Sequence, residues 1–292
     1  MVLQQARAEN FPVATHLLPR QARTHLLAIY GFARLTDDIG DEAEGDRLEL
    51  LDWLEAELRR AALGQATHPI LQQLTPTLEE LALPLDPFVD LIAANRQDQR
   101  VTRYQSYEDL LAYCTLSADP VGHLVLLVLR MATPERVALS NDVCSGLQIV
   151  EHLQDIGEDA RVGRIYLPEE DLERFGCAEE ELLAPHASPA LRRVVAFEAD
   201  RARQLLASGA PLAHSLPLRA RLAVAGFTGG GLAALDSIRK AAYDVLGTQC
   251  RPRPARFAQR FTATVAHSLR ATPVPGSVRP HLKSVPTGAA GS

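Results

Sequence analysis

Apolar residues recur at intervals of three and four almost throughout this chain, and clean period-two alternation is hard to find. That spacing draws apolar stripes along helices and leaves little from which to build a sheet, so it predicts an all-α fold. The helix starts are marked locally. Asp46 stands three residues before Glu49 ahead of "RLELLDWLEAELRRAAL", and Ser106 three before Asp109 in "SYEDLLAYC", both at capping-box spacing. "DPFVDLIAANRQ", "TPERVALSNDVCSGLQIVEHLQDIGEDA" and "SPALRRVVAFEADRARQLLASG" each place Asp, Thr or Ser before a proline at a first helical turn. About eight to ten helices are expected. No linker rich in Pro, Gly and Ser interrupts residues 10–270, and 47% of the 292 residues are hydrophobic, enough for a sizeable core. A single domain is expected over residues 1–270. Beyond it, "ATPVPGSVRPHLKSVPTGAAGS" (271–292) has little to bury, and a disordered tail is expected there.

The net charge of -6 gives no basic signal of the kind nucleic acid requires, so no nucleic-acid partner is expected. Cys114, Cys144, Cys177 and Cys250 lie far apart without zinc-type spacing and read as reduced cytosolic thiols, which points to a cytoplasmic protein. No window reaches the apolar length of a membrane span; the longest candidate, "VGHLVLLVLRMA", reads as a buried helix.

Acidic residues are crowded where apolar segments end. "RLTDDIGDEAEGD", residues 34–46, holds six acidic side chains in thirteen positions, directly after "HLLAIYGFA". On a helix Arg34, Asp37, Asp38 and Asp41 fall on adjacent turns, and stacked like charges cost roughly 0.2–0.5 kcal/mol per pair even when solvated. A solvated helix end accounts for one such pair. A second set weakens that account, because Glu151, Asp155 and Asp159 run down one stripe of "GLQIVEHLQDIGEDARVGRIYLP", with Gln148 one turn earlier and apolar residues opposite. Two acidic stripes on buried helices repel each other unless a cation lies between them. Carboxylates without nearby His or Cys specify Mg²⁺ or Mn²⁺, and Mg²⁺ completes its octahedron with water and phosphate oxygens. Arg34, Arg161 and Arg164 stand beside the two sets, where they can clamp a leaving diphosphate. Mg²⁺, diphosphate and an apolar helical pocket together suit ionisation of an allylic or cyclopropylcarbinyl diphosphate to a carbocation.

These segments resemble the squalene/phytoene synthase family over nearly the whole chain up to about residue 260. "LLPRQARTHLLAIYGFARLTDDIGDE" is similar to its first signature, with Tyr30, Arg34, Asp37 and Asp41 in register. "LQIVEHLQDIGEDARVGRIYLP" is similar to the second, with Gln148, Asp155, Asp159, Arg164 and Tyr166. "YCTLSADPVGHLVL" resembles a third segment, in which helix breaking at Pro120 and Gly122 is expected to shape the pocket. The resemblance implies a single all-α trans-isoprenyl diphosphate synthase bundle around a central cavity. "AENFPVATHLLP" and "YCTLSADPVG" are most like the hydroxysqualene synthase branch of hopanoid biosynthesis, which implies Mg²⁺-dependent release of diphosphate from presqualene diphosphate and capture of the cation by water.

On that resemblance Asp37, Asp41, Glu151, Asp155 and Asp159 are the metal ligands, Asp38 assists, and Tyr30, Arg34, Gln148, Arg164 and Tyr166 contact substrate. The implied partners are a prenyl diphosphate lipid, a membrane touched transiently and other squalene-pathway enzymes. Condensing members often carry Asn where Glu151 stands, Arg where Gln154 stands and Tyr where Gly231 stands. Those departures favour the second half-reaction over head-to-head condensation; a non-catalytic helical assembly factor is the alternative of another class. "GFTGGG" follows no strand and lacks dinucleotide spacing, so no nicotinamide cofactor is expected. His25, His152, Phe32, Tyr113 and Trp53 read as packing residues, while Asn10 is left as either a cap or a diphosphate contact.

Overall fold

The computed structural model describes residues 18–247. The tail at 271–292, the domain limit at 270, Asn10 and Cys250 lie outside that range. Among the described residues there are eleven α-helices: α1 (Arg20–Asp41), α2 (Arg47–Ala62), α3 (Pro69–Leu81), α4 (Asp86–Asp98), α5 (Tyr107–Ser117), α6 (Asp119–Val128), α7 (Pro134–Arg161), α8 (Glu169–Phe175), α9 (Pro189–Gly209), α10 (Pro211–His214) and α11 (Leu218–Lys240), with a 3₁₀ turn at Glu179–Leu183. No strand occurs among them; Arg103 and Ile165 form an isolated bridge.

Local chemistry sets most of these boundaries. Asp46 accepts from the amides of Leu48 and Glu49 to start α2, and Ser106 and Asp109 complete a reciprocal capping box at α5. Thr133 and Ser188 cap α7 and α9, each followed by proline at the first helical position. The start of α4 differs from expectation. Leu85 precedes the helix and Asp86 is already its first residue, so its charge serves the N-terminal dipole and not a cap hydrogen bond.

The interior divides. One apolar cluster joins α1, α2, α3, α4 and α6 through residues such as Phe32, Leu54, Leu74, Phe88 and Leu124. A second joins α5, α7, α9 and the end of α11 through Tyr113, Ile149, Val194, Leu206 and Ile238, and a smaller third seats α10 and the start of α11 on α6. Phe32 and Phe88 meet edge to face at 5.2 Å, which adds about 1 kcal/mol to their burial. Helix α6 packs against both α1 and α7 and so holds the two halves together.

Three expectations need correction. The chain breaks at Ala118, between α5 and α6, where buried Asp119 accepts from Ser145 Oγ at 2.9 Å. Gly122 is not a breaker: a side chain there would run into Ser140 and Cys144, so the glycine lets α6 lie close on α7. Tyr107–Val128 does reach the length and mean hydropathy, 1.5, of a membrane span, yet it is folded as two helices within the bundle. Trp53 is 42% exposed, with its ring edge-on to His68 at 5.6 Å instead of in the core. His25 behaves as a structural residue, with Nδ1 3.0 Å from Thr77 Oγ1.

Candidate active site

Helix α1 ends on Asp41, α4 ends on Asp98, and α7 ends two residues after Asp159. Unsatisfied carbonyls make each helix C-terminus negative, so an acid there opposes the macrodipole and costs roughly 0.3–1 kcal/mol. Three acid-tipped ends brought together make a strongly cation-seeking region. Their proximity is felt in the proton affinities: burial first, and then the charge of Asp155, pushes Asp159 up to about 7, with Asp41 adding to the effect from the opposite helix. Asp98 rises to about 6, mostly by burial, and also senses Asp41. Asp37 is reached by solvent, yet the surrounding protein and Asp41 lift it to about 6 against the hydrogen bond it accepts from Asn95 at 3.4 Å.

Arginines from both motifs stand among these acids. Arg34 Nε lies 2.8 Å from Asp38 Oδ1 on the same helix face, and its Nη2 reaches Glu42 at 3.3 Å. Arg164 follows the end of α7 after a turn through Gly163, whose φ of +83° is readily available only to glycine. The turn is closed by the Arg164 amide donating to the Asp159 carbonyl at 2.9 Å, and Arg164 Nη1 then donates to Asp41 Oδ1 at 2.6 Å. This ion pair joins the second motif to the first. Arg47 of α2 covers the end of α1, donating to the Gly40 and Asp41 carbonyls at 3.0 and 2.9 Å.

Behind the acids stands a group of rings. Tyr166 stacks on His152 at 3.8 Å with 13° between planes, and Tyr104 and Tyr113 lie 5.8 and 5.6 Å from Tyr166. Tyr113 donates to Asp98 Oδ2 at 2.7 Å, and Tyr166 donates to Asp98 Oδ1 at 3.2 Å. Burial drives His152 down to about 3, so the ring is neutral at physiological pH, and its Nε2 lies 3.2 Å from Gln148 Nε2. A small cleft, partly open to solvent, lies against His152, Ile156, Asp159, Arg164, Tyr166 and Leu182.

Of the residues singled out from the sequence, Asp41, Asp159, Arg164 and Tyr166 are therefore gathered at one place, with Gln148 attached through His152. Asp37, Asp38 and Arg34 line the last turns of α1 beside them. Tyr30 is half-buried two turns before the α1 acids, and Glu151 and Asp155 are exposed on α7. Asp98, Asn95, Arg47 and Tyr104 were not singled out. Nothing in "ANRQDQRVTRY" separates Asp98 from an ordinary charged helix end, because its partners come from segments 15 and 68 residues away.

The donor set suits a hard divalent cation: carboxylate oxygens at negative helix ends, with the one nearby imidazole stacked in the ring group. Among the described residues no three His, Cys, Asp or Glu side chains converge as a ready cage. Mg²⁺ needs none, since it takes one or two carboxylates and fills its shell with water and substrate phosphate. Asp37 and Asp41 on one side and Asp155 and Asp159 on the other can supply such partial sets.

A family model described as squalene/phytoene synthase matches residues 4–258. The chain belongs to the squalene/phytoene synthase family. It is 41% identical over 215 residues to hydroxysqualene synthase of Rhodopseudomonas palustris, covering 72% of each chain. Over 210 residues it is 37% identical to 15-cis-phytoene synthase of Synechocystis sp., covering 67% of this chain and 62% of that one. The crystal structure of squalene synthase HpnC from Alicyclobacillus acidocaldarius matches with a TM-score of 0.77 at 44% identity, over 80% of this chain and 89% of the other. A dehydrosqualene synthase crystallised with a ligand gives a TM-score of 0.82 at 25% identity, over 91% and 93% of the two chains. The all-α fold and the likeness to this family and its hydroxysqualene synthase branch, read from the two motifs, agree with these matches. The squalene/phytoene synthase family acts on prenyl diphosphates, and the chain is an enzyme of that class.

Proposed function

We propose that the enzyme converts presqualene diphosphate to hydroxysqualene, with release of diphosphate, in a Mg²⁺-dependent reaction. The observation that carries this reading is the Arg164–Asp41 pair, which closes 123 residues of chain to set both acidic motifs at one mouth. The 41% identity to a hydroxysqualene synthase supports the choice of substrate.

Asp37, Asp41, Glu151, Asp155 and Asp159 would hold the metal, with Asp38 positioning Arg34. Bound Mg²⁺ supplies Lewis-acid neutralisation of the departing diphosphate. Arg34 and Arg164, now turned to carboxylates, can exchange those partners for diphosphate oxygens, with Tyr30 and Gln148 flanking the substrate. Once the C–O bond to diphosphate has broken, the π faces of Tyr104, Tyr113 and Tyr166 can stabilise the cation beside them. Glu151 and Gln154 replace the Asn and Arg of condensing members, which weakens the case for a second prenyl diphosphate. At Gly231, where condensing members often carry Tyr, a side chain would run into Leu147 and Leu206, so the surroundings are apolar and closely packed. Because substrate and product are lipids, the proposal includes transient contact with a bilayer by a cytoplasmic protein, and handover to other enzymes of the same pathway.

The test is product extraction after incubating the purified protein with Mg²⁺ and, separately, farnesyl diphosphate or presqualene diphosphate, without reductant. An alcohol formed from presqualene diphosphate alone is expected. Turnover of farnesyl diphosphate would replace the proposal with head-to-head condensation, the reading that the 37% identity to a phytoene synthase favours. Silence with both would overturn it in favour of a non-catalytic assembly role.

A further inference from the structure

Water capture leaves a proton to be placed. When water attacks the carbocation, its oxygen forms the new C–O bond and becomes an oxonium, which must lose H⁺ before the alcohol can leave. The diphosphate lies at the acid-lined mouth under the proposed reading, while the rings stand behind it.

Asp98 lies where the two meet: it senses Asp41 and Arg164 at the mouth, and its oxygens face the rings. Both of its oxygens are engaged by phenols, Tyr113 on Oδ2 at 2.7 Å and Tyr166 on Oδ1 at 3.2 Å. A phenol has one proton and two lone pairs. With the Tyr166 proton directed at Asp98, the lone pair that Tyr113 does not use is left to accept from a water. That is the orientation a nucleophilic water needs, since a hydrogen bond donated by the phenol would instead drain the water lone pair. Tyr166 also lines the small solvent-reached cleft, alongside Asp159 and Arg164. Tyr113 and Arg164 keep Asp98 from taking its proton too early: both favour its charged form, although burial still raises it to about 6. The raised affinity leaves Asp98 charged at neutral pH and nearer in basicity to a competent proton acceptor than an ordinary carboxylate.

We propose that Asp98 is a positioning residue for the water-capture step, orienting the Tyr166 hydroxyl as an acceptor and taking its proton. In balanced form, water gives its lone pair to the cation, the oxonium passes H⁺ to the Tyr166 oxygen, and the Tyr166 proton passes to the Asp98 carboxylate. No oxidant or reductant is involved. The inference rests on the water-capturing reading of the function and adds to it the destination of the proton. His152 does not compete for this role, because burial drives its proton affinity down to about 3 and it stacks face-on against Tyr166.

The experiment compares wild type, Asp98→Asn, Asp98→Glu and Tyr166→Phe with presqualene diphosphate and Mg²⁺, measuring alcohol formed per diphosphate released. That ratio is insensitive to the fraction of protein folded. Asp98→Asn should lower it by about tenfold or more, as the stranded cation is lost to elimination with released diphosphate as the base. Tyr166→Phe should do the same, and Asp98→Glu should recover the ratio to within about threefold of wild type. A ratio unchanged in Asp98→Asn, or equally low in Asp98→Glu and Asp98→Asn, would overturn the inference. Absence of alcohol from the wild type would instead sink the underlying function, and the inference with it; that failure is visible before any variant is compared.

Discussion

Two acid clusters in this molecule use the same residue types and end differently. At the mouth, Asp37, Asp41 and Asp159 stand at helix C-termini and remain open to a ligand. Between α8 and α9, Asp171 and Glu198 are each 1% exposed and share Arg201, whose Nη1 donates to Glu198 at 2.6 Å and also to Asp171. The guanidinium lies 4.1 Å from the Tyr107 ring and 4.3 Å from that of Phe197, so rings close the cluster off. Both clusters have more acid than arginine. In the sealed one burial raises the proton affinity of Glu198, and the neighbouring Asp171 adds to the rise, so the surplus can be met without any ligand. The open one has no such seal, and on the proposed reading a cation from solution balances it. The difference separates an acid cluster that supports the fold from one kept for chemistry.

Substitution at the open cluster should damage chemistry and spare the fold. Asp155→Asn is expected to lower turnover by about 10³-fold, roughly 4 kcal/mol, while chemical denaturation shifts by less than about 1 kcal/mol. A near-normal rate would remove Asp155 from the ligand set. The sealed cluster should do the reverse. Arg201→Met leaves buried carboxylates without their cation and should cost about 3 kcal/mol in urea unfolding, with turnover per folded molecule retained. Loss of activity in the still-folded variant would erase the contrast.

The smallest effect concerns pH. Because the Glu198 affinity for a proton is higher in the folded than in the unfolded chain, its contribution to stability is greatest at low pH. It is lost as pH rises from the ordinary Glu range through about 8. Glu198→Gln cannot ionise, so its stability should fall less than that of wild type between pH 5 and 8.5. Parallel thermal-unfolding profiles for the two proteins would show that Glu198 holds no extra proton.

The helices were legible because their signals are local: Ser106 with Asp109, Thr133 with Pro134 and Ser188 with Pro189 stand where the caps are. The acidic stripes were legible for the same reason, since a helix converts a spacing of four into one face. What escaped was tertiary. Glu198 and Arg201, three apart, look in the sequence like an exposed helix pair, and only the packing of α8 and α5 over them shows that they are buried. Trp53 misled in the opposite direction, an aromatic on an apolar-looking helix whose ring ends up at the surface. Asp98 needed two tyrosines from distant segments before it could be distinguished from any other acid.

Asp119 bears on events earlier than catalysis. It lies near the middle of Tyr107–Val128, the one stretch among the described residues whose length and hydropathy suit a bilayer. A carboxylate at the centre of a would-be span opposes insertion by about 3 kcal/mol, and the chain breaks beside it at Ala118, where insertion would require a continuous helix. In the finished protein the same carboxylate is stabilised by the Ser145 hydroxyl. One residue thus makes the most apolar stretch of the described chain a poor membrane span while helping to seat it in the bundle.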